Sequence, residues 1–208
     1  NKLLRQAAID PEAVIMDRLA YKFAITEENA FLNGTGSDQP LGVFTASTMG
    51  ISTNRDTAAA SHTAIGADDL INVKYALKAQ YQEKAVWILH RTIVQAIRKL
   101  KDANNNYLWT VTIPGWGGAT GPGQGLQGTP ENLLDRPVYM SEYAPNTISQ
   151  GLYTAILGDF SRYIIVDALD MQFQVLDQLY AATNQTGYIA RRELDGMPVL
   201  RFNGACVQ

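Results

Sequence analysis

The feature that most constrains this chain is one long helix near its start. Asp10-Pro11-Glu12 opens it: Asp can cap, Pro suits the first turn, and Glu complements the positive end of the helix dipole. Ile15, Leu19 and Phe23 recur at intervals of four, Ala30 and Phe31 continue near that face, and Arg18, Lys22, Glu27 and Glu28 are polar. Asn33-Gly34-Thr35-Gly36 supplies the stop. About 22 helical residues from Pro11 span roughly 33 Å, longer than a typical globular helix, with a narrow apolar stripe.

Beyond it the pattern is mixed. Gly42 to Gly66, rich in Thr, Ser and Ala, reads as short strands and loop. Asp68-Asp69 opens a second helix that places Leu70, Val73, Leu77 and Tyr81 on one face and ends near Lys84. Ala85 to Leu89 is apolar on both faces, as in a buried strand, and a third helix with Ile93, Val94, Ile97 and Leu100 inward follows it. Asn104-Asn105-Asn106 turns into a strand over Tyr107 to Thr112. The stretch from Pro114 to Gly128 holds seven glycines and two prolines, so neither regular element continues there and a mobile loop is expected. After Pro137 short strands dominate: 138–140, 154–157, 163–166, 173–176, 188–193 and 198–202. Asp195-Gly196 is a hairpin signal between the last two.

Composition sets the limits. At 208 residues and 46% apolar, the chain can hold a real core. Lys plus Arg number 17 against 20 for Asp plus Glu, a formal charge of 17 − 20 = −3 with no long run of either sign, which argues against tight nucleic-acid binding over the whole surface. Cys206 is the single cysteine, so an intrachain disulfide and the paired-thiol metal motifs are excluded, and a reducing compartment fits. No apolar stretch reaches the 18 or so residues of a membrane helix, and no membrane partner is expected. Asn1 is not Met and Asn1 to Ile9 lacks an apolar signal-peptide region, so a fragment or processed product is expected.

The segment Glu27-Glu28-Asn29-Ala30-Phe31-Leu32-Asn33-Gly34-Thr35-Gly36, followed by Gln39-Pro40-Leu41-Gly42-Val43, resembles the signature of the tailed-bacteriophage (prophage) major capsid protein family, whose fold is shared with encapsulins and the herpesvirus capsid floor. Further matches follow in the family's order. Trp87 to Leu89, a helix, and Leu100-Lys101-Asp102 through Tyr107-Leu108 resemble its strand, helix and turn passage. Asp135-Arg136-Pro137-Val138 resembles its "G-R/K-P-V" step, with Asp where Gly is common. Gly158-Asp159-Phe160 resembles its "GDF" passage, and Arg191-Arg192 through Asp195-Gly196 its closing region. Each is weak alone; their collinearity carries the resemblance.

The resemblance implies an α+β fold, with an axial domain of mixed sheet and flanking helices plus a discontinuous peripheral domain holding a long spine helix and a late strand. Residues 1–44 and 187–208 would be peripheral and 45–186 axial. It implies a structural protein of the virion, assembled in the bacterial host cytoplasm, whose copies form pentamers and hexamers of an icosahedral shell around packaged DNA. Weak DNA contact is allowed; catalysis, cofactors and metals are not required. The family's N-terminal arm and extended loop have no counterpart here, so the chain alone is expected to be a monomer or loose oligomer, and no cross-link residue is transferred.

Bland readings prevail at the chemically suggestive residues. His62 and His90, the only histidines, are separated by a helix and read as surface or structural groups. Cys206 has no indicated activating base and reads as passive. The glycine stretch from Gly115 to Gly128 lacks the Gly-Lys-Ser/Thr of a phosphate loop. Glu27 and Glu28 point about 100° apart, so salt bridges to solvent or another subunit suit them better than acid–base catalysis. Arg91, Arg98, Lys99 and Lys101 could meet DNA but read first as a solvated helix face. Catalytic, cofactor-binding and metal residues are therefore none. Two competitors stay open: a hydrolase using loop carboxylates, and a phage DNA-associated accessory protein.

Overall fold

A computed structural model describes residues 11–45, 56–61, 63–109, 132–149, 151–176, 178–179, 185–198 and 204–207. These fall into two compact units, Asn1–Gly42 with Ile164–Met197 and Val43–Tyr163 with Pro198–Gln208. The chain is a mixed α+β fold, as the resemblance implies.

The larger unit is built on a five-stranded mixed sheet. Its strands are β1 (Val86–Leu89), β2 (Asn132–Leu133), β3 (Arg136–Met140), β4 (Ala155–Gly158) and β7 (Gly204–Val207), in the order β2-β3-β1-β4-β7. The central strand β1 runs parallel to β3 and antiparallel to β4, with Trp87 opposite both Val138 and Leu157. Alternation in β1 sends Trp87 and Leu89 fully inward, where they meet Leu77, Ile93, Ile97 and Leu157. Trp87 also donates its indole N–H to the Leu133 carbonyl at 3.0 Å, so this large side chain enters the core with its polar atom satisfied.

Helices of this unit obey the expected periodicity, with one departure. Arg91–Arg98 (α4) buries Ile93, Val94 and Ile97. The helix expected over Asp68 to Lys84 stops at Ala76: α2 spans Ala67–Ala76, Leu77 and Lys78 are extended, and a single turn, α3 (Ala79–Gln82), follows. Gln82 explains the stop, because its side-chain amide donates to the carbonyls of Lys74 (3.0 Å) and Leu77 (2.8 Å), satisfying acceptors at the end of α2. Leu70, Val73 and Leu77 are still buried.

The smaller unit contains α1 (Pro11–Asn33, 23 residues) and a two-stranded ribbon of β5 (Tyr163–Leu176) and β6 (Gly187–Pro198). Expected short strands at 163–166 and 173–176 are parts of one continuous strand. Asp195-Gly196 is not a turn: it lies inside β6, where the Gly196 carbonyl accepts the Leu41 N–H at 2.9 Å. This long-range backbone bond outweighs the local turn preference. A tight hairpin occurs elsewhere, between β2 and β3, where Leu133 pairs with Arg136 and Leu134 and Asp135 both take positive φ (50° and 64°). Leucine is an uncommon choice there, and its packing against the core offsets the backbone cost.

The terminal strand also differs from expectation. The sequence reading places 187–208 together with the long helix, whereas β7 pairs antiparallel with β4, Cys206 opposite Ile156, within the sheet of the larger unit. Of the strand expected over Tyr107 to Thr112, Tyr107 makes only an isolated bridge to Lys101, and 110–112 lie outside the described residues, as do the glycine-rich stretch 114–128 and His62.

Candidate functional site

In the smaller unit a corner and an ion cluster fix the helix to the ribbon. At the corner the Gly34 N–H donates to Ala30 O and the Gly42 N–H to Gly34 O, both at 2.8 Å. A Cβ at Gly34 would collide with the carbonyl oxygens of Pro40 and Ala30, and one at Gly42 with Gly34 N and Leu32 O. The two glycines are therefore demanded by backbone contact, a physical reason for their place in the signature segment. Thr35 bridges Leu41, whose N–H reaches Gly196 of β6.

Along the helix, Arg192 of β6 donates from Nη1 to both oxygens of Glu27 (2.8 Å each) and from Nη2 to Asp167 Oδ1 of β5 (3.1 Å). Partial burial of the guanidinium disfavours its charge, but the Asp167 hydrogen bond and the two carboxylate charges outweigh this and raise its pKa. Three elements thus meet at one cation. The Asp167–Arg192 and Phe173–Tyr188 contacts also show that β5 and β6 run antiparallel.

Between these fasteners the unit hides little apolar surface. Leu32 and Leu41 are its buried hydrophobics among the described residues, whereas every member of the main core cluster belongs to the larger unit. Val14, Met16 and Tyr21 of α1 are exposed, as are Met171 and Val175 of β5 and Met197 of β6. Ile164, Ile165 and Val166, three successive β-branched residues, remain 48%, 52% and 57% exposed. Successive strand residues face opposite ways, so both sides of the ribbon are uncovered there. A two-stranded ribbon needs a further strand or a packed helix to be stable in water; α1 meets it at Arg192, and Ile164–Val166 stay exposed among the described residues.

The residues singled out from sequence have structural or surface roles. His90 is buried and caps α4: its Nδ1 accepts the Thr92 N–H at 3.1 Å, while Nε2 lies 3.5 Å from a Glu142 carboxylate. Glu27 pairs within the chain, with Arg192 at 2.8 Å. The basic residues around α4 do not form a free patch. Arg91 pairs with Glu142 (3.2 Å), Arg98 stacks over Trp109 (4.8 Å), and Lys101 covers the Tyr107 ring and donates to Asn105; Lys99 is exposed. A concavity of about 330 Å³ on the ribbon is lined by Gln172, Phe173, Gln174, Ile189 and Arg191, with no carboxylate. Among the described residues no three metal-ligating side chains converge, and no helix is long and apolar enough to cross a membrane.

Sequence reasoning missed Arg192 as the centre of the ion cluster, since its partners lie 165 and 25 residues away. The uncovered run Ile164–Val166 carried a strand signal, but nothing in it told whether the strand would be covered.

The model of the phage capsid family matches residues 1–205. The structure is similar to the capsid of an empty GTA particle computed with C5 symmetry, with a TM-score of 0.80 and 25% identity over 100% of this chain and 69% of that one. It is similar in fold to the capsid of the native GTA particle (TM-score 0.80, 24% identity, 100% and 68% covered) and to a chain of Mycobacterium phage Cain (0.65, 11%, 100% and 68%). No curated protein matches the sequence.

Proposed function

Because the chain belongs to the phage capsid family and is a structural protein of a phage head shell, we propose that its copies associate into pentamers and hexamers that close an icosahedral shell around packaged DNA. The single observation carrying this reading is the imbalance between the units: one has a sealed core, the other is a helix and a ribbon with apolar residues bare on several sides. Such an element is stable as part of a tile whose neighbours cover it, and closed symmetric assembly supplies those neighbours. The C5 symmetry of the similar GTA capsid supports rings of five; rings of six are the extension that a larger shell needs.

In this reading the helix–ribbon unit is the peripheral domain and the sheet unit the axial one. The protein works as a building block in the virion and has no catalytic task, the shell forming in the host cytoplasm. Contact with packaged DNA is weak, because Arg91, Arg98 and Lys101 are engaged within the chain. Expression of the full-length protein alone, followed by electron microscopy, tests the proposal: rings and closed shells are expected, and uniformly dispersed single subunits would contradict it.

A further inference from the structure

We propose that the outer edge of β5 pairs, antiparallel and about a two-fold axis, with the same edge of β5 in a second copy. The inference rests on the shell-protein reading above and names one contact through which copies meet.

The two strands of the ribbon treat their outer edges differently. β6 carries features that blunt an edge: four charged residues (Arg191, Arg192, Glu193 and Asp195), Pro198 at its end, and the Leu41 N–H on its Gly196 carbonyl. β5 is 14 residues long and holds no Lys, Arg, Pro or Gly. Among the described residues its sheet neighbour is β6 alone. Every second residue of β5 therefore turns its N–H and C=O away from β6, a row of backbone groups that another extended strand satisfies along its length.

An edge is met by an edge of similar length. The outer strands of the other sheet, β2 with two residues and β7 with four, are too short to match β5. A second β5 matches it, and the same strand on both sides makes the contact isologous. A two-fold axis perpendicular to the ribbon keeps each face on its own side, so residues of like parity face one another. Centred on Leu169, the pairing overlaps nearly the whole strand and sets Asp167 opposite Met171 and Asp170 opposite Ala168; centring on Asp170 would set that carboxylate against itself. The two Asp170 side chains then lie on a diagonal roughly 7 Å apart, where exposure to solvent weakens their repulsion. On the face that carries Asp167, Ile165 meets Phe173, an aromatic and β-branched pair. The product is a four-stranded sheet in the order β6-β5-β5-β6, which supplies the further strands that the ribbon lacks alone. Head-to-tail contacts close a ring, and an isologous contact joins one ring to the next.

Residue-resolved amide exchange of the full-length protein, dispersed and then assembled, tests the pairing. In dispersed subunits the alternate amides of β5 that face β6 are protected; on assembly the other set should slow by at least about tenfold. Paired cysteines identify the occupant. Ala168→Cys with Asp170→Cys, both at exposed positions, places a thiol opposite a thiol of the second copy. Assembled protein should then form disulfide-linked dimers at least about tenfold more than either single variant, whose thiols lie on the longer diagonal. Fast exchange of the outward amides in wild-type assemblies overturns the proposal, and decides it where a variant fails to assemble. Slowed exchange without the disulfide, in a double variant that assembles, shows that another segment holds the edge and also overturns it. Either result leaves the shell-protein reading standing, whereas failure of the wild type to associate at all overturns both.

Discussion

Asp69 is a buried carboxylate whose burial is explained residue by residue. Its oxygens accept the N–H groups of Gly66 (2.8 Å) and Ala60 (3.0 Å), so it fastens the start of α2 to the preceding loop. Asp69→Ala leaves two donors unmatched and should lower unfolding stability by about 1–3 kcal/mol in urea titration, with the fold otherwise kept. Two other acids carry opposite pH dependences. Burial pushes the Asp56 carboxyl above its ordinary value of 3.8, against the hydrogen bond from Tyr153, and so its native form holds a proton more tightly than its unfolded form. Stability therefore falls as pH rises from 3.8 through the higher native value, and Asp56→Asn should flatten that part of the stability curve. Asp102 is the reverse. The Asn106 N–H, aided by the Asn106 side chain and the Asn104 N–H, holds its carboxyl below 3.8, so its stabilisation is present above that pH and is lost as the pH falls through the lower native value. Asp102→Asn should remove this acid-side loss, seen by thermal melts across the acidic range.

At the scale of elements, legibility followed the range of the interactions. The long helix and its stop, the strand at Trp87 and the helix after it could be read because their signals are local: caps, a glycine pair and apolar periodicity. What escaped was decided by distant partners. Gln82 ends α2 through its own side chain, the Gly196 carbonyl draws Asp195-Gly196 into a strand, and Leu134-Asp135 forms a hairpin without an Asn-Gly or Asp-Gly signal because Leu134 packs on the core. The glycine corner shows how a motif becomes a physical demand. Gly42→Ala inserts a methyl against Gly34 N and Leu32 O, and it should cost about 1–3 kcal/mol and loosen α1 from β6, visible as faster amide exchange in both. An alanine at exposed Gly151, where no atom lies within 4 Å of the added Cβ, controls for steric collision, leaving only its positive φ (81°) as a cost.

For the whole molecule, the candidate surface was the least legible part. Composition and periodicity distinguish buried from exposed positions within one chain, but Ile164–Val166 read as any strand would, and their half-exposure emerges only once the chain is folded. The family resemblance, carried by ordered motifs, pointed to a tile; the uneven distribution of core between the two units gives that idea a physical form. In the proposed shell the helix and ribbon gain their stability from neighbouring copies. Amide hydrogen exchange on the full-length protein, dispersed and then assembled, tests it most directly. Assembly should slow exchange in α1, β5 and β6 by at least about tenfold while β1 and β4 stay protected in both states. Equal protection of the ribbon and the central sheet in dispersed subunits would contradict the account.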